Sequence, residues 1–267
     1  MKVVILAGGL GTRLREETDF MPKPMVEIGH RPILWHIMKI YSHYGFDDFI
    51  LCLGYKGDAI RDYMLQYDIR NTDFTIDLGT KEIIRHAVLH NERSWRVTLA
   101  ETGLHTLTGG RLKRIANYID EETFMVTYGD GVGDVDIPAV LNFHRRAGRI
   151  ATVTGVRPVA RFGELQVSGD LVQDFREKPQ VEEGWINGGF FVFSRQVFDY
   201  IEADDTVLER EPLARLAAEG QLAVYRHSGY WRCLDTVRDL EFLNQEWASL
   251  NAPWAVWEKH SVGRGAK

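Results

Sequence analysis

Charged side chains able to handle phosphate recur beside glycines in this chain. The first cluster is Leu6-Ala7-Gly8-Gly9-Leu10-Gly11-Thr12-Arg13, followed by Pro22-Lys23-Pro24. Bare glycines let a charged ligand approach the backbone, and successive N–H groups in such a loop form an anion cradle. A helix starting after the loop would add its dipole, and Arg13 and Lys23 add fixed positive charge. The cluster reads as a phosphate-handling loop. It is not a P-loop, because no Gly-x-x-x-x-Gly-Lys-[Ser/Thr] string occurs here. Nor is it the dinucleotide fingerprint: counting from Gly9, the third glycine is replaced by Leu14.

Acidic candidates lie far downstream. Asp130 sits between Gly129 and Gly131, and Asp235 lies in Trp231-Arg232-Cys233-Leu234-Asp235-Thr236. Two carboxylates together with phosphate oxygens make the hard-oxygen set that Mg²⁺ prefers. Both aspartates also precede helical segments, so helix capping competes with metal binding. Lys178, in Glu177-Lys178-Pro179, is either a solvated charge or a positioned ammonium. Asn187-Gly188-Gly189 offers an amide and bare backbone suited to sugar hydroxyls, or simply close strand packing. Thr108-Gly109-Gly110-Arg111-Leu112-Lys113-Arg114 is a second glycine-plus-cation segment, which by composition alone could be a basic helix start on the surface.

These residues sit at the ends of apolar runs. Val3 to Leu6 predicts a buried strand that breaks into the glycine loop. Arg31 to Tyr41 carries apolar residues at helical spacing, with Pro32 near its start. Phe49 to Leu53 predicts a second buried strand and Lys56 to Tyr67 a helix. This β–α–β–α order predicts a parallel sheet with right-handed crossovers, whose ligands sit beyond the carboxyl ends of the strands. Thr75 to Leu78 and Arg96 to Leu99 read as strands, with an unassigned charged segment between them.

Phe124 to Tyr128 is a strand ending at Gly129-Asp130-Gly131. Ile137 to Ala147 follows as an amphipathic helix and Ala151 to Val156 as a strand. Ser168-Gly169-Asp170 joins Glu164 to Val167 with Leu171 to Phe175 in a hairpin. Gly188 to Phe193 reads as a strand, Glu211 to Glu219 as a helix stopped by Gly220, and Leu222 to Tyr225 as a strand. A helix over Val237 to Leu250 and a tail bearing Trp254 and Trp257 close the fold. No repeat or linker interrupts the pattern, so residues 1–258 are expected to form one domain and 259–267 a disordered tail.

A formal charge of −6 argues against a nucleic-acid partner, which would need a basic face. It does not argue against a nucleotide, which needs only local cations. Cys52 and Cys233 are too few for a disulfide framework and fit a reduced, cytoplasmic compartment. There is no secretory signal pattern, and no apolar stretch approaches the roughly 18 residues of a membrane span, so no membrane partner is expected.

The glycine loop with Arg13 and Pro22-Lys23-Pro24-Met25-Val26-Glu27-Ile28 resembles the signature of sugar-phosphate nucleotidyltransferases. Pro32-Ile33-Leu34-Trp35-His36, Thr127-Tyr128-Gly129-Asp130-Gly131, Arg161-Phe162-Gly163, Glu177-Lys178-Pro179, Ile186-Asn187-Gly188-Gly189 and Asp235-Thr236-Val237-Arg238-Asp239 extend that likeness over nearly the whole chain. Together they are similar to the glucose-1-phosphate cytidylyltransferases, the CDP-glucose pyrophosphorylases. Thymidylyl and uridylyl relatives generally carry a Gln-x-x-Pro-x-Gly-Leu-type segment where this chain has Thr108-Gly109-Gly110-Arg111, which favours the cytidylyl branch.

The resemblance implies an α/β, Rossmann-like nucleotidyltransferase fold: a mixed, mostly parallel central sheet flanked by helices, with a small β-hairpin, sugar-binding region. It implies Mg²⁺-assisted transfer of a cytidylyl group from CTP to α-D-glucose 1-phosphate, giving CDP-glucose and pyrophosphate, in a homo-oligomer, often a hexamer. Deoxysugar synthesis for surface polysaccharide is the implied setting. Catalysis then falls to Arg13, Lys23, Asp130, Lys178 and Asp235, with Asp130 and Asp235 holding the metal. Leu6, Ala7, Gly8, Gly9, Gly11, Thr12, Arg13, Lys23, Thr108, Arg111, Tyr128 and Gly129 take the nucleotide, Arg111 being the candidate reader of cytosine. Glu177, Lys178, Asn187 and Gly188 take the sugar. Two rivals stand beside this reading: the same chemistry with UTP, dTTP or another hexose 1-phosphate, and a non-catalytic nucleotide-sugar-binding module. A binding module has no need of all five charged residues.

Overall fold

The computed structural model describes residues 1–9, 11, 21–88, 91, 92, 94–158, 164–168, 171–176 and 184–258. Thr12, Arg13, the Arg161-Phe162-Gly163 motif, the Gly169-Asp170 turn, Glu177, Lys178 and the 259–267 tail lie outside the described residues.

From the N-terminus, β1 (Lys2–Leu6) ends at the glycine loop, and a short ribbon of β2 (Glu27–Ile28) and β3 (Arg31–Pro32) leads into α1 (Ile33–His43). Strand β4 (Asp48–Leu53) is followed by α2 (Gly57–Leu65), α3 (Tyr67–Arg70) and a hairpin of β5 (Thr72–Ile76) and β6 (Ile83–Val88). Then come β7 (Arg96–Glu101), α4 (Thr108–Arg114), β8 (Thr123–Tyr128), the short β9 (Gly131–Gly133) and α5 (Ile137–Ala147). Strand β10 (Ala151–Val156) precedes a second hairpin, β11 (Glu164–Ser168) with β12 (Leu171–Arg176). The described chain closes with β13 (Ile186–Ser194), α6 (Glu211–Ala218), β14 (Leu222–His227), β15 (Trp231–Cys233) and α7 (Val237–Ala248).

Seven strands form the central sheet, in the order β14-β10-β13-β8-β1-β4-β7. Only β13 runs against its neighbours β10 and β8; the other pairings are parallel. This is the mixed, mostly parallel architecture the resemblance implies. Both faces are covered. Val3 and Ile5 of β1 join Phe49, Leu51, Ile37 and Trp254 on one side, while Val4 and Leu6 join Ile50, Phe124, Val126 and Leu112 on the other. A strand buried on both faces needs apolar side chains at every position, so β1 and β4 read as unbroken runs.

Three elements differ from expectation. The helix expected over Lys56 to Tyr67 starts after Lys56, whose φ of 49° is left-handed, and breaks at Gln66 into α2 and α3. The unassigned segment contains β6, paired with β5 through Thr75↔Ile84 and Ile76↔Ile83. Its apolar residues do not join the core: Phe74, Ile76, Ile83 and Ile84 are 39–53% exposed. The last helix ends at Ala248 rather than Leu250.

The tryptophan-bearing C-terminal segment folds back onto α1. Trp247, Trp254 and Trp257 surround His36, which is fully buried. His36 Nε2 lies 3.0 Å from the Ile28 carbonyl and Trp254 Nε1 donates to His36 Nδ1 at 3.3 Å, which defines the neutral Nε2–H tautomer. Burial lowers the His36 pKa to about 4. Among the described residues, no helix is long and apolar enough to cross a membrane.

Candidate active site

The carboxyl ends of β1 and β8 and the segment that follows β7 border a cleft of about 720 Å³. Leu6, Ala7, Gly8, Gly9, Gly11, Lys23, Thr108, Arg111, Tyr128, Gly129, Asp130, Asn187, Gly188 and Asp235 all line it. Residues more than two hundred positions apart in the chain thus meet where ligands of open α/β sheets bind.

The first glycines of the loop have different tasks. A Cβ on Gly9 would meet nothing within 4 Å, so this stretch of backbone faces open space. A Cβ on Gly8 would lie 2.3 Å from Arg111 Nη1, and one on Gly54 would lie 2.4 Å from the same atom. Both glycines make room for the guanidinium. Arg111 is only 4% exposed, against the surface helix start that composition alone allowed. Its Nη1 donates to the Leu53 and Gly103 carbonyls at 3.0 and 2.7 Å and to Thr102 Oγ1 at 2.7 Å, and Nη2 donates to the Gly8 carbonyl at 2.9 Å. One side chain therefore ties together the segments leaving β1, β4 and β7.

Opposite, the Pro-Lys-Pro turn (Lys23–Met25) leans on Gly129, where a Cβ would stand 2.8 Å from Pro24 Cγ. That docking delivers Lys23 between the two aspartates. Its Nζ donates to Asp130 Oδ2 at 2.8 Å and Asp235 Oδ1 at 2.6 Å. Burial alone would lower the Lys23 pKa, but the two carboxylates outweigh it and hold the ammonium above the usual lysine value. Helix capping, the competing task for both aspartates, belongs to other residues. Asp136 caps α5, accepting from the Ala139 N–H at 2.9 Å, and Thr236 caps α7 in a reciprocal capping box with Asp239.

Asp235 is brought over by backbone pairing. Strand β15 runs antiparallel to β9 with Cys233 opposite Gly131, and the Leu234 N–H donates to the Asp130 carbonyl at 2.8 Å. The same pairing introduces a residue that sequence reasoning missed. Ligand atoms of Asp130, Cys233 and Asp235 all lie within 4.8 Å of one another. Burial, then the Asp130 charge, pushes the Cys233 thiol above its ordinary value. Cys233 ends β15 two positions before Asp235, and that closeness in sequence was the signal available for it.

The far wall is a polar chain. Gly189 N–H donates to Asn187 Oδ1 at 2.8 Å, Asn187 Nδ2 donates to Tyr128 Oη at 3.1 Å, and Tyr128 donates to Glu209, which also accepts from Thr108 Oγ1 at 2.7 Å. Burial and the Glu209 charge raise the Tyr128 pKa. Glu209 carried no signal in sequence. Gly188 has a packing reason to be glycine, since a Cβ there would lie 2.6 Å from Val156 Cγ1.

Proteins of known name are similar to this chain in sequence and in fold. The nucleotidyl transferase family model matches residues 2–248. The chain is 49% identical over 261 residues to the glucose-1-phosphate cytidylyltransferase of Salmonella typhi, covering 97% of this chain and all of that protein. The Salmonella typhimurium enzyme of the same name matches at the same identity and coverage. Among solved structures, HddC from Yersinia pseudotuberculosis complexed with GMP-PN superposes with a TM-score of 0.68 at 25% identity, over 92% of this chain and 99% of that one. With the family model matching residues 2–248 and near-half identity along almost the whole chain, the chain belongs to the nucleotidyl transferase family.

Proposed function

We propose that this protein is a glucose-1-phosphate cytidylyltransferase, converting CTP and α-D-glucose 1-phosphate to CDP-glucose and pyrophosphate. The observation that carries the reading is near-half identity, along almost the whole chain, to the Salmonella typhi enzyme of that name. An oxygen of the sugar phosphate attacks the α-phosphorus of CTP in line as the bond to pyrophosphate breaks. The nucleophile is already an anion, so the protein has little proton chemistry to do. Positioning and charge neutralisation carry the rate.

The open backbone at Gly9 and the Arg13 guanidinium receive the triphosphate, and Lys23 meets the α-phosphate. Asp130 and Asp235 would hold Mg²⁺, and their fit is seen in the ammonium they already share. The ion, when bound, neutralises charge on the reacting phosphates. Lys178 orients the sugar phosphate, while Glu177 and Asn187 contact sugar hydroxyls. Arg111 contributes to base choice by fixing the Gly8 and Gly103 backbone, since its guanidinium is engaged with carbonyls. That engagement favours keeping a second reading, the same chemistry with UTP or dTTP, in which the backbone it holds admits a different pyrimidine.

Residues 1–258 act as one domain, because strands from the whole length share one sheet. The exposed apolar surface of the β5–β6 hairpin supports a homo-oligomer, since Phe74, Ile76, Ile83 and Ile84 leave about half of their area to solvent in the monomer. Both substrates are charged and do not cross membranes unaided, so the enzyme works in the cytoplasm.

Pyrophosphate release from purified protein with Mg²⁺, glucose 1-phosphate and each of CTP, UTP, dTTP, ATP and GTP tests the proposal. A strong preference for CTP is expected. A preference for UTP or dTTP keeps the mechanism and overturns the base assignment. No release with any nucleotide or hexose 1-phosphate leaves the binding-module reading.

A further inference from the structure

Cys233 enters the cleft with a chemistry that phosphate transfer does not use. Strand pairing sets Cys233 opposite Gly131, next to Asp130, and Asp235 follows two residues beyond the end of β15. The Sγ and the two carboxylates come within 4.8 Å of one another. A cation already occupies this place: the Lys23 ammonium bridges both carboxylates at 2.8 and 2.6 Å.

We propose that Cys233 adds a sulfur donor to the Asp130–Asp235 pair, creating an O,O,S site that takes a thiophilic divalent cation, such as Zn²⁺, Co²⁺ or Cd²⁺, when nucleotide is absent. The inference rests on the reading of Asp130 and Asp235 as cation holders and adds a donor that Mg²⁺ has no use for. Magnesium takes hard oxygens and keeps its waters, whereas thiolate selects softer ions. Bond lengths of about 2.0–2.3 Å to oxygen and sulfur put donors on one tetrahedral ion roughly 3.3–3.8 Å apart. The cage therefore closes on such an ion with small side-chain adjustments, and Lys23 gives up its place. As the sulfur–metal bond forms, the thiol proton leaves to solvent.

The test is titration of the nucleotide-free, full-length protein with Co²⁺ in excess Mg²⁺, followed by absorption. A sulfur-to-cobalt charge-transfer band that saturates at one equivalent is expected. Cys233→Ser should remove the band and weaken Co²⁺ binding by about tenfold or more, at least the effect of an outer-shell change. A wild-type protein without the band, or a band that persists in Cys233→Ser, overturns the proposal. A second measurement needs no variant. Stoichiometric Cd²⁺, but not Mg²⁺, should slow alkylation of Cys233 by iodoacetamide, read by peptide mass, and equal rates would also overturn it. Turnover with CTP and Mg²⁺ is measured separately. An active enzyme without the band loses the sulfur donor alone, while a protein with the band and no turnover with any nucleotide loses the functional reading alone.

Discussion

Two cations line the cleft, Lys23 half-buried and Arg111 buried, and they are held in opposite ways. Lys23 is held by charge, between Asp130 and Asp235. Arg111 is held by neutral acceptors, chiefly the carbonyls of Leu53, Gly103 and Gly8. A lysine between two carboxylates can be exchanged for another cation, because the ammonium is a point charge with rotatable donors. A guanidinium spread over several fixed acceptors cannot leave without breaking all of these hydrogen bonds at once. One half of the site is therefore built to change partners and the other to stay still. Chemistry belongs to the first, and shape to the second.

The largest effect should come from the exchangeable half. Asp130→Ala should lower kcat by about a thousandfold, on the scale of removing a group that stabilises transition-state charge. Its stability should change by no more than about 1 kcal/mol, because Asp130 is partly exposed and Lys23 keeps Asp235 as a partner. Pyrophosphate release and urea unfolding of the same preparation measure both. Near-normal turnover in a folded variant removes Asp130 from the metal-holding role.

Arg111→Ala should reverse the pattern. Truncation removes buried hydrogen bonds to Leu53, Thr102, Gly103 and Gly8 and opens a gap between Gly8 and Gly54, at a cost of about 3 kcal/mol. The melting temperature should fall by roughly 6–12 °C. Arg111→Lys should recover less than half of this, since an ammonium cannot span the same acceptors. If Asp130→Ala proves as destabilising as Arg111→Ala, the division between exchangeable and fixed halves fails.

The two halves were also unequally legible in sequence. Val3 to Leu6 and the glycine loop were visible because a strand buried on both faces leaves an unbroken apolar run. Ile137 to Ala147 was visible end to end because its apolar face is periodic and Gly148 stops it at a φ of +59°. Asp130 and Lys23 stood out through their glycine and proline neighbours. The burial of Arg111 did not, because its acceptors come from segments scattered between Gly8 and Gly103 and leave no local pattern. Glu209 was hidden for the same reason. Strand β6 escaped because Ile83 and Ile84 are neighbours that both stay about half exposed, so alternation had no inside and outside to separate. The capping alternative for Asp130 and Asp235 could not be settled in sequence, where Asp136 and Thr236 were equally suitable caps nearby.

A smaller effect should appear on the sugar side. Lys178→Ala should raise the KM for glucose 1-phosphate about tenfold, the worth of one charge-assisted contact. The KM for CTP should stay within about twofold if Lys178 serves the incoming phosphate alone. Initial rates with each substrate varied in turn measure the split. An unchanged requirement for glucose 1-phosphate removes Lys178 from that task, and a shared rise in both constants places it with the triphosphate instead.

The smallest effect tests whether the fixed kind of polar group extends beyond the cleft. His36, inside its tryptophan cage, is neutral, with Nε2–H given to the Ile28 carbonyl and Nδ1 accepting from the Trp254 indole. Protonation would turn Nδ1 into a donor facing another donor. The folded pKa of about 4 lies below the ordinary 6.5, so on acidification the unfolded chain takes the proton first. The stability involved is complete above pH 6.5 and drains away as pH falls toward 4. Near pH 5 the loss from this group should be about 2 kcal/mol. Urea unfolding of wild type and His36→Gln across that range isolates it. The variant should be less stable at neutral pH, where it lacks the ring, but should show the shallower pH slope, because its amide has no proton to gain. Equal slopes would mean that the cage tolerates an imidazolium, and the fixed kind of holding would then belong to Arg111 and not to His36.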